Sequence, residues 1–427
     1  MMFETVRERL EKLGCDGWEL TESVKRGWEF YFIRHQLDQN RVTEVKTVNV
    51  KLYKALEGGK FLGSASGEIP PTASEAEIDR ALDTLLFQAG LVKNPYYRLQ
   101  DRPVDIPERT EPVDVEKIAE DFLRAFRAVR ETETEDVNSY EIFVRDVSRH
   151  FLNSNGVQYT VRYPSSMIEV VVNARREGHE IELYRNYTSG TCDGEKLRRD
   201  VEKALRFARD RLVTEPTPRL ADCDVILTTD DAVRVYGYFA SRMTADMIYR
   251  RVSDWEKGKP VAESMTGDRV TLRAVSSLAN SSADYPIDEE GAAIPDRVLI
   301  RDGVAESIWG HRQFCQYLGV EDGAICPNLA VDGGRKPEAE LRRGDWLEVV
   351  EFSDFQVDAM SGSIAGEIRL GYLHRNGETR IVSGGSVSGQ MAEVIPTMEF
   401  SSETEQYDTC VIPRVTRLKG LKITGAE

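Results

Sequence analysis

The sequence predicts an α+β protein, with a mixed α/β N-terminal domain followed by a strand-rich, largely antiparallel and barrel-like C-terminal domain. Three observations predict it. Long segments of helical period alternate with β-branched runs in the first half. A polar, proline-bearing break, TEPTPRLADCD, falls at 214–224. Beyond it, strand–turn–strand units recur at short intervals. At 427 residues the chain exceeds one ordinary core, so two domains are expected, 1–215 and 222–427.

The opening MMFETVRERLEKLG is an amphipathic helix; it lacks the basic and then apolar order of a signal peptide. VTEVKTVNVKLYKALEGGKFLGSASGEI reads as a strand pair, with LEGGKFLG as its hairpin loop. TASEAEIDRALDTLLFQAG carries Ser74 and Glu77 at capping-box spacing and Gly90 as a stop. VDVEKIAEDFLRAFRAVRET and DGEKLRRDVEKALRFARDRL are two further amphipathic helices. Between them, strands turn at Asn155-Gly156, because a tight reverse turn needs positive φ. In the second half, Asp302-Gly303 and Asn376-Gly377 mark two more hairpins. After the strand VILTT comes DDAVRVYGYFASRMTADMIYRR. It reads as one helix capped by Asp230 or Asp231, with an apolar stripe of Ala232, Val235, Phe239, Met243 and Met247. Gly237, beside Ala240 and Ser241, suggests close approach by another backbone.

Composition narrows the function. A net charge of −17 with no concentrated basic patch disfavours nucleic acid. No apolar run approaches the roughly 20 residues that span a bilayer. Six scattered cysteines without CxxC spacing suggest reduced thiols and a cytoplasmic address.

Familiar catalytic strings are absent. There is no GxSxG elbow, and GGSVSGQ reads as a turn with Ser388 capping a short helix. There is no phosphate-binding GxxxxGK[ST] and no GxGxxG after a strand. The five histidines are widely spread; only His311 and Cys315 have chelate-like spacing, and two ligands do not make a site. Asp288, Glu289 and Glu290 form an acidic cluster that reads as a solvated turn before Gly291 rather than a cation site.

The order of features in the second half resembles the TldD/PmbA (TldD/TldE) family. DYPIDEEGAAIPDRVLIRDGVAESIWGHRQFCQYLG is similar to its acidic stretch, strand, turn, strand and helix. CPNLAVDGGRKPEAELRRGDWLEVVEFSDFQVDAMSGSIAGEIRLGYLHRNGETRIVSGGSVSG and the closing PRVTRLKGLKITG resemble its second signature and last strand. NSNGV fits the N-terminal domain more loosely. The family holds two kinds of subunit. The TldD kind is a zinc peptidase with HExxxH on a helix after the first C-terminal strand and a distant Cys. The PmbA/TldE kind lacks these ligands and pairs with the first.

The resemblance places that zinc helix on DDAVRVYGYFASRMTADMIYRR, where Tyr236, Gly237, Tyr238 and Phe239 stand near the first His and Glu, and Arg242 and Met243 near the second His. The distant Cys maps to EFSSETEQ, at Ser401 or Ser402. Phenol, thioether and guanidinium groups cannot replace two imidazoles and a carboxylate. What the resemblance implies is therefore a PmbA/TldE-like subunit with no metal or catalytic residue of its own. Zinc and hydrolysis would come from a TldD-like partner acting on unfolded peptides. The alternative is a homodimer that binds peptides without cleaving them; a third option is unrecognised chemistry at His311 and Cys315 or at an acidic cluster. Tyr236, Tyr238, Phe239, Arg242 and Met243 either pack or touch substrate. A sheet edge around Ile368, Arg369 and Leu370 is the expected place for a peptide to add as a strand.

Overall fold

The structure, a computed structural model, describes residues 2–320 and 323–426. Its N-terminal half is one seven-stranded antiparallel sheet, in the order β4-β3-β2-β1-β5-β6-β7. The strands are β1 (Gly17–Ile33), β2 (Gln36–Leu56), β3 (Phe61–Ile69), β4 (Asn94–Pro95), β5 (Glu135–Asn153), β6 (Gln158–Arg176) and β7 (His179–Ser189). Four helices cover its apolar side in two groups. α1 (Met2–Leu10) and α2 (Glu75–Ala89) pack on Leu20, Val48, Val50 and Leu52; α3 (Val115–Arg127) and α4 (Gly194–Arg211) pack on Ile142, Val144, Ile168 and Val170.

Local chemistry explains most boundaries. Glu77 accepts the Ser74 backbone N–H at 2.8 Å, so the capping box closes as expected. Asp114 and Asp193 cap α3 and α4 by accepting from Lys117 N and Lys196 N, each at 3.0 Å. The β5–β6 hairpin turns at Asn155-Gly156, as the sequence predicts. The long β1–β2 hairpin was not legible: it turns on Arg34 and His35 at φ 45° and 62°, values normally left to Gly, Asn or Asp.

The C-terminal half contains the strands β8 (Glu215–Pro216), β9 (Leu220–Leu227), β10 (Leu272–Val275), β11 (Arg297–Arg301), β12 (Val304–Ala305), β13 (Asn328–Val331) and β14 (Trp346–Val357). These are followed by β15 (Ser363–Arg375), β16 (Glu378–Ser383), β17 (Ser386–Gln390), β18 (Glu399–Phe400), β19 (Thr404–Tyr407), β20 (Cys410–Pro413) and β21 (Thr416–Thr424). In one sheet the path β14-β9-β21-β17-β15 closes on itself, because β14 also pairs with β15. This five-stranded ring is the barrel expected from the hairpin spacing. A second sheet runs β12-β11-β10-β13-β20-β19. Both hairpin turns fall as predicted, at Asp302-Gly303 (φ 47°, 73°) and Asn376-Gly377 (φ 53°, 82°).

Among the described residues, five short helices complete this half: α5 (Ala232–Arg242), α6 (Ala245–Tyr249), α7 (Arg312–Tyr317), α8 (Glu338–Leu341) and α9 (Met391–Val394). The segment read as one helix is thus two. The break falls at Met243 and Thr244, where the Ala245 N–H leaves the helical ladder and donates to Trp309 O at 2.8 Å. Ser388 caps no helix either. It lies within β17, and Gln390 precedes α9.

The halves share a core: Val350 of β14 and Leu370 of β15 pack among the side chains of α3, α4 and the N-terminal sheet. Tyr372 donates to Asp210 at 2.7 Å and Arg211 to Glu351 at 3.3 Å across the same seam. Among the described residues no helix is long and apolar enough to cross a membrane.

Candidate functional site

α5 leaves the end of β9 and packs between β14 of the barrel and β20 of the second sheet. Ala232, Val235, Phe239 and Met243 are buried, as the apolar stripe predicts. Neither aspartate caps the helix through its side chain. Asp231 already has helical φ and ψ, and its carboxylate accepts from the Thr229 hydroxyl at 3.3 Å. Burial, with Asp230 adjacent, pushes its carboxyl up to about 6.

Tyr236 is 2% exposed. Its hydroxyl shares a hydrogen bond with Thr416 Oγ1 at 2.9 Å, and its ring meets Phe400 edge-on at 6.1 Å. Burial raises the phenol well above its ordinary value, which opposes the phenolate that a metal would require. Tyr238 lies edge-on to Trp255 at 5.9 Å, and Phe239 is wholly buried against the same indole.

Arg242 is 7% exposed and bound on both sides. It donates to Val252 O at 2.6 Å, forms an ion pair with Asp254, and lies over the Tyr238 and Trp255 rings. Met243 is buried at the helix end. None of these five side chains is an imidazole or carboxylate, and a fixed guanidinium repels a cation, so the set does not fit zinc.

The segment expected to stand for the distant Cys is beside them. Phe400 touches Tyr236 and pairs with Thr416 across β18 and β21. The next residue, Ser401, is fully buried; its hydroxyl donates to Glu403 O at 2.8 Å and accepts Val415 N at 3.1 Å. The fold thus joins the two segments that the resemblance paired at the Tyr236–Phe400 ring contact, with Thr416 of the adjoining β21 bonded to the same phenol. Phenol, phenyl ring and hydroxyls fill the junction.

Gly237 corrects the sequence reading. A Cβ there meets nothing within 4 Å, so no backbone approaches it. With Arg234, Tyr238 and Ser241 it forms one wall of an open groove of about 530 Å³, whose other wall is residues 354–359 at the tip of the β14–β15 hairpin.

Ile368, Arg369 and Leu370 do not form a sheet edge. β15 pairs with β14 on one side and with β17 and β16 on the other. Ile368 N donates to Gly385 O at 3.0 Å. Ile368 points into the barrel core and Leu370 into the shared core, while Arg369 bonds Ser353 and Glu367 where the ladder shifts register. Barrel closure consumes the backbone groups that an added strand would need.

His311 and Cys315 also diverge. His311 precedes α7 and its ring meets Glu290 at 3.3 Å, a hydrogen bond that raises its pKa. The Cys315 thiol turns inward to Gly310 O at 3.4 Å, pushed up to about 11 by burial. The acidic cluster is a solvated turn only at Glu289, which is exposed. Asp288 is 2% exposed and accepts the backbone N–H groups of Glu290, Ala292 and Ile325. Among the described residues, no group of three or more His, Cys, Asp or Glu side chains gathers as a metal site. All six cysteines are free thiols.

Residues 221–425 match the model of the PmbA/TldA metallopeptidase C-terminal domain. That match places the C-terminal region of the chain in the TldD/PmbA family. Solved structures share the fold along the whole chain. TldE from Thermococcus kodakarensis is 15% identical, with a TM-score of 0.73, covering 98% of this chain and 100% of its own. A Thermotoga maritima protein described as a candidate modulator of a DNA gyrase is 14% identical, with a TM-score of 0.76, covering 99% and 100%. A Bacteroides thetaiotaomicron protein described in similar terms is 15% identical, with a TM-score of 0.75, covering 100% and 98%. No curated protein matches the chain.

Proposed function

We propose that this chain is a PmbA/TldE-like subunit of a cytoplasmic zinc-peptidase assembly, in which a TldD-like partner supplies zinc and hydrolysis of unfolded peptides. One observation carries the proposal. Where the family's zinc helix and distant thiolate meet, this chain has a buried Tyr236 bonded to Thr416, a Phe400 ring and a paired Arg242. Chemistry of that kind stabilises a core and cannot polarise a carbonyl or generate a hydroxide. The fold likeness to TldE along the full chain supports the same assignment.

A second reading, a homodimer that binds peptides without cleaving them, is favoured by the groove beside Gly237, which lies open over the same helix. Mixing the purified chain with a TldD-like subunit distinguishes the two. The first predicts a stable complex and cleavage of an unfolded peptide only by the mixture. Peptide binding by this chain alone, with no complex, favours the second.

A further inference from the structure

The two halves meet a second time near the start of β1, through the loop 285–293 and α7. Arg149 of β5 lies over the Tyr285 ring at 4.4 Å and donates to Ile287 O. Gly291 sits so close to the Phe151 ring of β5 that a Cβ there has no room. Segment 95–100 ties the same corner. Gln316 of α7 accepts Arg98 N at 2.9 Å and donates to Arg98 O at 2.8 Å, while Asn153 of β5 donates to Gln100 O at 2.8 Å.

Charge is packed into this corner. Glu19 is buried, with Lys51 opposite it across β1 and β2 and the Tyr53 and Tyr97 phenols beside it. Asp288 and Glu290 face it from the loop. Behind Glu290 stand His311, whose ring meets its carboxylate, and Arg312, whose backbone N–H it accepts at 2.8 Å. The Arg312 guanidinium donates to Gln100 Oε1, and exposed Glu289 adds its charge near His311. The corner is also bonded to the helix after β9. Two residues before His311, the Trp309 indole donates to Ala240 O at 2.8 Å. Its backbone N–H donates to Met243 O at 3.3 Å, and its carbonyl accepts Ala245 N at 2.8 Å.

We propose that this corner is a pH-sensitive latch: rising pH loosens the loop and α7 from β1 and β5, and Trp309 carries the release to the α5–α6 junction. The titrations all push one way. Against the burial that would raise it, the His311 bond and the Arg312 N–H hold Glu290 low, so it stays charged. Burial pushes Glu19 up to about 7 and Asp288 up to about 6, and the Glu290 charge adds to both. The bond to Glu290 raises His311. Rising pH therefore adds negative charge at Glu19 and Asp288 and removes positive charge at His311, beside a standing anion. Glu19 lies above its ordinary 4.5, so its contribution is whole below that pH and is lost as pH rises through about 7.

The latch concerns the chain alone and does not depend on the peptidase assignment. Hydrogen exchange of the purified full chain, read by mass spectrometry from pH 6 to 8 and corrected for intrinsic exchange, tests it. Protection of 285–293, 312–317 and 243–246 should fall about tenfold, as a carboxyl moved from 4.5 to about 7 requires over that range. Residues 168–174 of β6 should keep theirs. In Glu19→Gln, which stays neutral, most of the response should vanish. Protection that does not change with pH in the unmodified chain overturns the proposal, whatever the variant does. So does a loss shared equally by β6, which is unfolding of the whole chain. An undiminished response in a Glu19→Gln chain that circular dichroism shows to be folded overturns it too.

Discussion

The seven-stranded sheet and the five-stranded ring use the same alternating strands joined by tight turns, but they treat their edges differently. The ring closes through β14 and β15 and has no edge to offer. The N-terminal sheet stops pairing at Val48 and leaves residues 36–47 of β2 bare. Strand addition, expected at Ile368–Leu370, has no room there, because closure has already paired that backbone. The comparison teaches that hairpin spacing reveals a barrel's strands but not where its hydrogen bonds are spent; closure is a property of strands distant in sequence.

The same contrast separates the tight core of α5 from its open flank. Phe239→Ala should give the largest effect, a loss of about 3–5 kcal/mol from an emptied, fully buried site, measured by denaturant unfolding. Next comes Glu19, buried between the halves and pushed up to about 7 by desolvation. The folded state favours its protonated form. Its contribution is therefore complete below the ordinary 4.5 and is lost as pH rises through about 7. Glu19→Gln should raise Tm above that pH and change little in acid; a pH-independent difference would contradict this.

Tyr236→Phe should cost about 1–2 kcal/mol, since Thr416 loses its buried partner. Smallest, and opposite in sign, is Gly237→Ala. With open space around the new methyl it should gain about 0.5–1 kcal/mol of helix stability. A loss on thermal melting would restore the close backbone approach that the sequence suggested.

Much of the fold was legible because its signals are local. Ser74 with Glu77, Asn155-Gly156, Asp302-Gly303 and Asn376-Gly377 each act within a few residues, and each appears as read. The β1–β2 hairpin escaped because Arg34 and His35 are not turn residues; the sheet around them holds them at positive φ. The helix break at Met243 escaped because its cause, Trp309, lies far along the chain. For the site, the residue types were legible and their contacts were not. Nothing in the local sequence announces that Tyr236 bonds Thr416 or that Arg242 finds Asp254.

The central proposal is that the helix after β9 holds packing groups where the resemblance to the TldD kind places zinc ligands. Zinc per chain, measured together with chelator-sensitive cleavage of an unfolded peptide on the chain purified by itself, tests it most directly. The account predicts no stoichiometric zinc and no cleavage until a TldD-like subunit is added. One zinc per chain with chelator-sensitive cleavage, in the absence of any partner, would contradict it.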